Sequence, residues 1–342
     1  MNNENYKIAD AVFEGGGIKA IAFVGALKAM EEKGYVWRYL AGTSGGAVVA
    51  SLIAVGYTSS EILSIVKNMD FTKMNDRKFI SIPFISDMYN LIFNKGIYEG
   101  VYLKNFIDTL LSTKLKRSKK SPVTFRDLMD PLEDGVLLDN YKYKKKYKLH
   151  IIASDITNGK LMILPEDIKD YGIEPEDFHV SEAVRMSCSI PFFYKPVYLK
   201  DTKTHTTSII VDGGLLSNYP VWLFDVKDKP KYPTIGFKLS GSKTVQGDEN
   251  ITNLISYGKK IIKTMLESQN NMHIKEMDYL RTIKIDPKNY HTTDFIIKEK
   301  DILNLYESGE YSANSFLENW EDNYKAHLTL RKNHNHIENI II

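Results

Sequence analysis

Apolar residues recur along this chain at two spacings, and the alternation between them outlines the fold. "KIADAVFEGGG" (7–17) is an apolar run ending in glycines, which predicts a short buried strand breaking into a turn. "IKAIAFVGALKAMEEKG" follows with apolar residues at helical spacing and Gly34 as a stop. "YVWRYLAGTS" reads as the next strand and "GGAVVASLIAVG" as the next helix, ending at Gly56. In "TSSEILSIVKNM", Thr58 and Ser59 precede Glu61, which is an N-cap signal. Later strands are predicted in 148–157, 160–165, 208–214 and 234–240. From about residue 250 the pattern is mainly helical, in "ITNLISYGKKIIKTMLESQ" and "KEKDILNLYESGEYSANSFLENW", with a short strand "RTIKID" between. Strands alternating with helices favour a mostly parallel sheet covered on both faces. No repeat and no long Pro/Gly/Ser linker interrupts the pattern, so one domain is expected.

Composition narrows the class. A chain of 342 residues with 43% hydrophobic content has enough apolar surface for a large core. A net charge of +2 does not suggest wholesale nucleic-acid binding. The single cysteine, Cys188, excludes an intramolecular disulfide and suits a reducing compartment. It lies in an apolar segment with no histidine nearby, so a small buried residue is expected rather than a catalytic thiol. The first residues carry no basic region followed by an apolar core. No uninterrupted apolar window of ~18 residues occurs, so no transmembrane helix is expected. These features point to the cytosol, and a protein exported by a specialised secretion system would look the same. Two lysine-rich runs, "KLKRSKK" (114–120) and "KYKKKYK" (142–148), read as solvated loops or as contacts with anionic lipid head groups. The apolar stretch 79–96 reads either as core or as a cover over a greasy site.

Two neighbouring motifs carry the candidate chemistry. "FEGGGIKA" (13–20) places a glycine run between a strand and a helix, where backbone N–H groups point at an anion. As a dinucleotide fingerprint it needs a carboxylate at the end of the second strand, but that strand ends in "LAGTSGG". As an oxyanion hole it needs a nucleophile close by, and the next strand supplies one. Gly42-x-Ser44-x-Gly46 sits at a strand-to-helix junction, where a nucleophile elbow belongs.

A serine nucleophile needs a base. None of His205, His273, His291, His327, His334 and His336 sits in a short glycine-bounded loop after a strand, as an ordinary Ser–His–Asp arrangement would want. Asp212 does end an apolar strand, in "IIVDGGLLSNYP" (209–220), ahead of Gly213 and Gly214. It reads as a carboxylate presented at the end of the sheet or as a turn cap.

Taken in order, "EGGGIKA", "GTSGGA" and "DGG" resemble the patatin-like phospholipase family. "SEAVRMSCSIPFFYKPV" (181–197) resembles its serine-and-proline block, "SNYPV" (217–221) its Asn-x-Pro, and 302–317 its closing helix. The resemblance spans about residues 8–320, leaving 321–342 as a C-terminal tail. It implies a three-layer α/β/α fold with a mostly parallel central sheet. It further implies Ser44 as nucleophile and Asp212 as its partner in a dyad without histidine. Gly15, Gly16, Gly17 and Lys19 would form the oxyanion hole, with Gly42 and Gly46 shaping the elbow. Ala20 stands where the family usually has glycine. No metal or other cofactor is implied. The expected substrate is membrane phospholipid, with peripheral contact to an anionic membrane and an activating partner both open. A Ser–His–Asp esterase and a non-catalytic lipid-binding module are the alternatives.

Overall fold

The structure is a computed structural model that describes residues 6–76, 95–118, 121–129, 147–240 (without 203 and 228), 257–265 (without 259, 262 and 263) and 275–341 (without 291 and 293–295). The apolar stretch 79–96 lies outside these residues except at its end, as does most of the 142–148 lysine run.

One sheet organises the chain. Its strands are β1 (Lys7–Phe13), β2 (Tyr35–Thr43), β4 (Leu149–Asp155), β5 (Lys160–Leu164), β7 (Val197–Lys200), β8 (Thr207–Asp212), β9 (Thr234–Leu239) and β10 (Thr282–Ile285). The order is β10-β9-β1-β2-β4-β8-β7, with β5 also on β4. From β10 to β4 neighbouring strands run parallel. β5, β8 and β7 add an antiparallel edge. A second, two-stranded sheet joins β3 (Gly96–Tyr98) to β6 (Phe192–Tyr194). The sheet is thus mostly parallel, as expected, and the antiparallel edge is what carries Asp212 back beside β4.

Strand alternation sorts the core into two faces. Ala9, Ala11, Phe13 and Leu40 join a large core, whereas Val12, Tyr39 and Ala41 join a smaller one with Leu223 and Phe224. The large core lies under helices α1 (Ile21–Glu32), α2 (Gly45–Ala54), α3 (Ser59–Asn68), α4 (Val101–Lys114), α5 (Val180–Ser187) and α6 (Glu299–Glu318). Within it Phe13 stacks on Phe237 while Phe23 meets both at an angle, and all three are fully buried. Burying each such ring contributes about 2–3 kcal/mol. The predicted N-cap of α3 is present as a capping box, with the Glu61 N–H donating to Thr58 Oγ1 and the Thr58 N–H to the Glu61 carboxylate.

The C-terminal segment is more than a tail. A final helix, α7 (Trp320–Ile341), buries Trp320 and His327. His327 bonds the Met277 carbonyl at 2.6 Å, and Arg331 reaches Asp225, which also accepts two hydrogen bonds from buried Arg281. Long-range polar ties of this kind have no local sequence signature. Among the described residues no helix is long and apolar enough to cross a membrane.

Candidate active site

Strand β2 delivers Ser44 at its C-terminal end. Ser44 holds φ 52° and ψ −125°, a left-handed conformation that a residue with a side chain adopts only under strain of about 1–3 kcal/mol. Its surroundings enforce that turn. A Cβ on Gly42 would lie 2.4 Å from the Gly46 carbonyl oxygen, and one on Gly46 would lie 2.6 Å from that of Phe13. The two glycines therefore let helix α2 start hard against β1 and β2. This close approach explains the Gly-x-Ser-x-Gly spacing. The Ser44 N–H is fixed in turn by Ser187 Oγ at 2.8 Å, and the Ser187 hydroxyl donates to the Ile152 carbonyl at 2.6 Å.

Asp212 ends β8, paired opposite Ala153. It is 2% exposed, and one carboxylate oxygen, Oδ1, accepts the Gly214 N–H at 2.7 Å. The other, Oδ2, is buried with no hydrogen-bond partner. The Ser44 side chain lies close enough to favour the ionised form of Asp212, without an aligned hydrogen bond to Oδ2. Catalytic contacts are commonly loose until substrate binds. Burial dominates the titration: it pushes the Asp212 pKa up to about 6, against smaller lowering from Ser44 and the Gly214 N–H. A carboxylate with that pKa is a better base than an ordinary aspartate, yet still ionised at neutral pH.

A pH dependence follows. With Asp212 as the proposed base, only its ionised form accepts a proton, so kcat/KM for a soluble ester is expected to rise with pH through about 6 and level off above it. A pH–rate profile that stays flat from pH 5 to pH 8 would exclude Asp212 as the base.

The glycine loop lies beside Ser44, with a division of labour that its sequence does not show. The Gly15 N–H donates to the Asn218 carbonyl at 3.0 Å and the Lys19 N–H to the Gly16 carbonyl at 3.2 Å. Neither amide is available as an oxyanion donor in this conformation. Glu14, which precedes the loop, is a fully buried carboxylate paired with buried Lys238. The Gly16 and Gly17 amides make no hydrogen bond among the described residues. Gly17 has φ +55° and stands against Gly45, the first residue of α2, whose N–H has no acceptor within the helix. The amides of Gly16 and Gly17, and that of Gly45 at the N-terminus of α2, are thus without an acceptor among the described residues. Ala20 fits its place without distortion, at φ −59°.

Ser44 opens onto a narrow cavity of about 120 Å³ whose wall is almost entirely carbon. Val48 and Leu52 of α2, Ile62 and Val66 of α3, and Phe106 and Ile107 of α4 line it. A larger groove of about 540 Å³, between α1, α3 and α6, is lined by Lys28, Glu31, Ser59 and Lys67 and reaches neither Ser44 nor Asp212. The candidate site is at the apolar cavity because Ser44 lines it. Cys188 also lines it, buried, and burial pushes its thiol pKa up, so it is a neutral small residue beside Ser44. No histidine lines the cavity among the described residues, and His327 is held in the α7 contact. No cluster of metal-ligating side chains is present among the described residues.

The site thus joins a strained serine at a strand–helix junction, a buried aspartate and a glycine loop, with the serine opening onto an apolar cavity. Residues 11–225 match the patatin-like phospholipase family model, and the chain belongs to that family. It is 36% identical over 313 residues to the uncharacterized protein YqhO of Bacillus subtilis (strain 168), covering 91% of this chain and 98% of YqhO. It is 24% identical over 212 residues to the probable lipid hydrolase 463L of Invertebrate iridescent virus 6, covering 61% of each. Among solved structures, VipD from Legionella pneumophila shares the fold with a TM-score of 0.54 at 16% identity, over 92% of this chain and 67% of VipD.

Proposed function

We propose that the protein hydrolyses fatty-acyl esters of membrane phospholipids through a Ser44–Asp212 dyad, releasing free fatty acid and lysolipid. The observation that carries this reading is the unpartnered Oδ2 of buried Asp212 beside Ser44, which itself opens onto an apolar cavity. As the acyl carbonyl reaches Ser44, Asp212 takes the hydroxyl proton while Oγ adds to the carbonyl carbon. The negative oxygen then sits against the amides of Gly16, Gly17 and Gly45. Collapse of this intermediate expels the lysolipid alkoxide, which leaves with the proton held by Asp212. An acyl-Ser44 ester remains, and Asp212 next deprotonates a water that attacks it, freeing the fatty acid and restoring the dyad.

The acyl chain would lie in the cavity, where burial contributes about 0.8 kcal/mol per methylene. Val66 is only partly buried, so a larger side chain there is tolerated better than in the core. Val66→Trp is expected to lower kcat/KM for a palmitoyl ester about 10-fold or more, by filling that space, while changing a butyryl ester less than about threefold. Equal losses on both esters would show that the chain binds elsewhere.

The reading is tested by a serine-reactive fluorophosphonate. Labelling at Ser44, located by peptide mass spectrometry and abolished in Asp212→Asn, supports the dyad. A protein that takes no label has the glycine loop of a binding module rather than of a hydrolase.

A further inference from the structure

Asn218 is buried next to the glycine loop and engages both backbone groups of Gly15. The Gly15 N–H donates to the Asn218 carbonyl at 3.0 Å, and Asn218 Nδ2 donates to the Gly15 carbonyl at 3.1 Å. The fit is tight on both sides, since a Cβ on Gly15 would lie 2.2 Å from Asn218 Oδ1 and 3.3 Å from Ser44 Cβ. The segment that carries Asn218 is tied to β2 as well: the Thr43 hydroxyl donates to the Ser217 carbonyl at 3.1 Å, one residue before Ser44.

The Gly15 carbonyl and the Gly16 N–H belong to one planar peptide group, so fixing one fixes the direction of the other. We propose that Asn218 is a positioning residue that sets the Gly15–Gly16 peptide, aiming the Gly16 N–H at the oxyanion formed on Ser44. It rests on the hydrolase reading of Ser44. The segment that begins with Asp212 then supplies the base at one end and the register of the oxyanion donors at the other. Without the Nδ2 donor the Gly15 carbonyl is left buried and unpaired, and rotation of that peptide to find a new partner turns the Gly16 N–H away.

The test uses Asn218→Asp, which keeps the shape and loses the donor, and Asn218→Ala, which loses both. Wild type and variants are compared for kcat and KM on p-nitrophenyl butyrate, for inhibition by an alkyl trifluoromethyl ketone, which mimics the tetrahedral oxyanion, and for thermal unfolding. In both variants kcat is expected to fall about 100-fold with KM changed less than about threefold, because displaced donors cost the transition state and not the ground state. Ketone affinity should weaken in parallel with kcat/KM. Activity within threefold of wild type in either folded variant overturns the role, as does a loss of kcat with unchanged ketone affinity. A loss that simply tracks the fraction of unfolded protein assigns Asn218 to stability instead. A wild type inactive on the ester overturns the hydrolase reading and this role together.

Discussion

Replacing Ser44 by alanine is expected to abolish fatty-acid release, with a loss on the order of 10⁴-fold or more, because among the described residues of the cavity wall none offers a second nucleophile for the proposed acyl-enzyme. The neighbouring thiol is no substitute: Cys188 is held neutral by burial, and it is the thiolate that attacks carbonyls. The variant should fold. The contact that fixes the elbow runs from the Ser44 backbone N–H to Ser187, and alanine keeps it. The left-handed φ is no worse for alanine than for serine. Activity is measured on phospholipid vesicles alongside a thermal melt. Retention of a tenth of wild-type turnover by a folded Ser44→Ala protein would remove Ser44 from the mechanism.

Asp212→Asn is expected to lose activity by a comparable factor while gaining stability. Asparagine keeps the shape and the bond from the Gly214 N–H but cannot take a proton. The gain in stability comes from burial. The native Asp212 pKa of about 6 stands above the ordinary aspartate value of 3.8, so folding costs free energy whenever the group is ionised. Between those two values the native state binds more protons than the unfolded chain, and wild-type stability falls as pH rises through the window. Above pH 6 the accumulated cost is about 3 kcal/mol, at about 1.4 kcal/mol per pKa unit. Asp212→Asn should therefore melt several degrees above wild type at pH 7.5, and the difference should vanish below about pH 4. Equal melting temperatures across that range would mean that Asp212 does not carry the raised pKa. A buried charge kept at a cost to stability is what a base in a dry site requires.

Much of this site was legible because its signals are local. Gly42, Ser44 and Gly46 were legible as a strand-to-helix junction because the motif is short, although the contacts that forbid side chains there are with the Gly46 carbonyl and, from across the sheet, that of Phe13. Asp212 was legible as a strand-ending carboxylate before two glycines. The glycine loop was legible as a loop, but not its division of labour. Gly15 and Lys19 looked equivalent to Gly16 and Gly17 as donors, and only the Asn218 carbonyl, 203 residues from Gly15, shows that the Gly15 amide is taken. Ser187 was hidden for the same reason, because it meets Ser44 across 143 residues. The antiparallel strands β5, β7 and β8 were invisible as such, because strand direction depends on pairing and not on periodicity. The anchoring of α7 rests on Arg281 and Asp225, which are far from it in sequence. The lysine run at 142–148 and the apolar stretch at 79–96 fall largely outside the described residues, so membrane contact through them stays a proposal.

The central claim is that Ser44 and Asp212 together cleave acyl esters of phospholipids. Mass spectrometry of defined phosphatidylcholine and phosphatidylglycerol vesicles, incubated with wild type, Ser44→Ala and Asp212→Asn, tests it most directly. The account predicts equimolar free fatty acid and lysophospholipid from the wild type alone. Intact lipid with the wild type, or products formed equally by either variant, would contradict it.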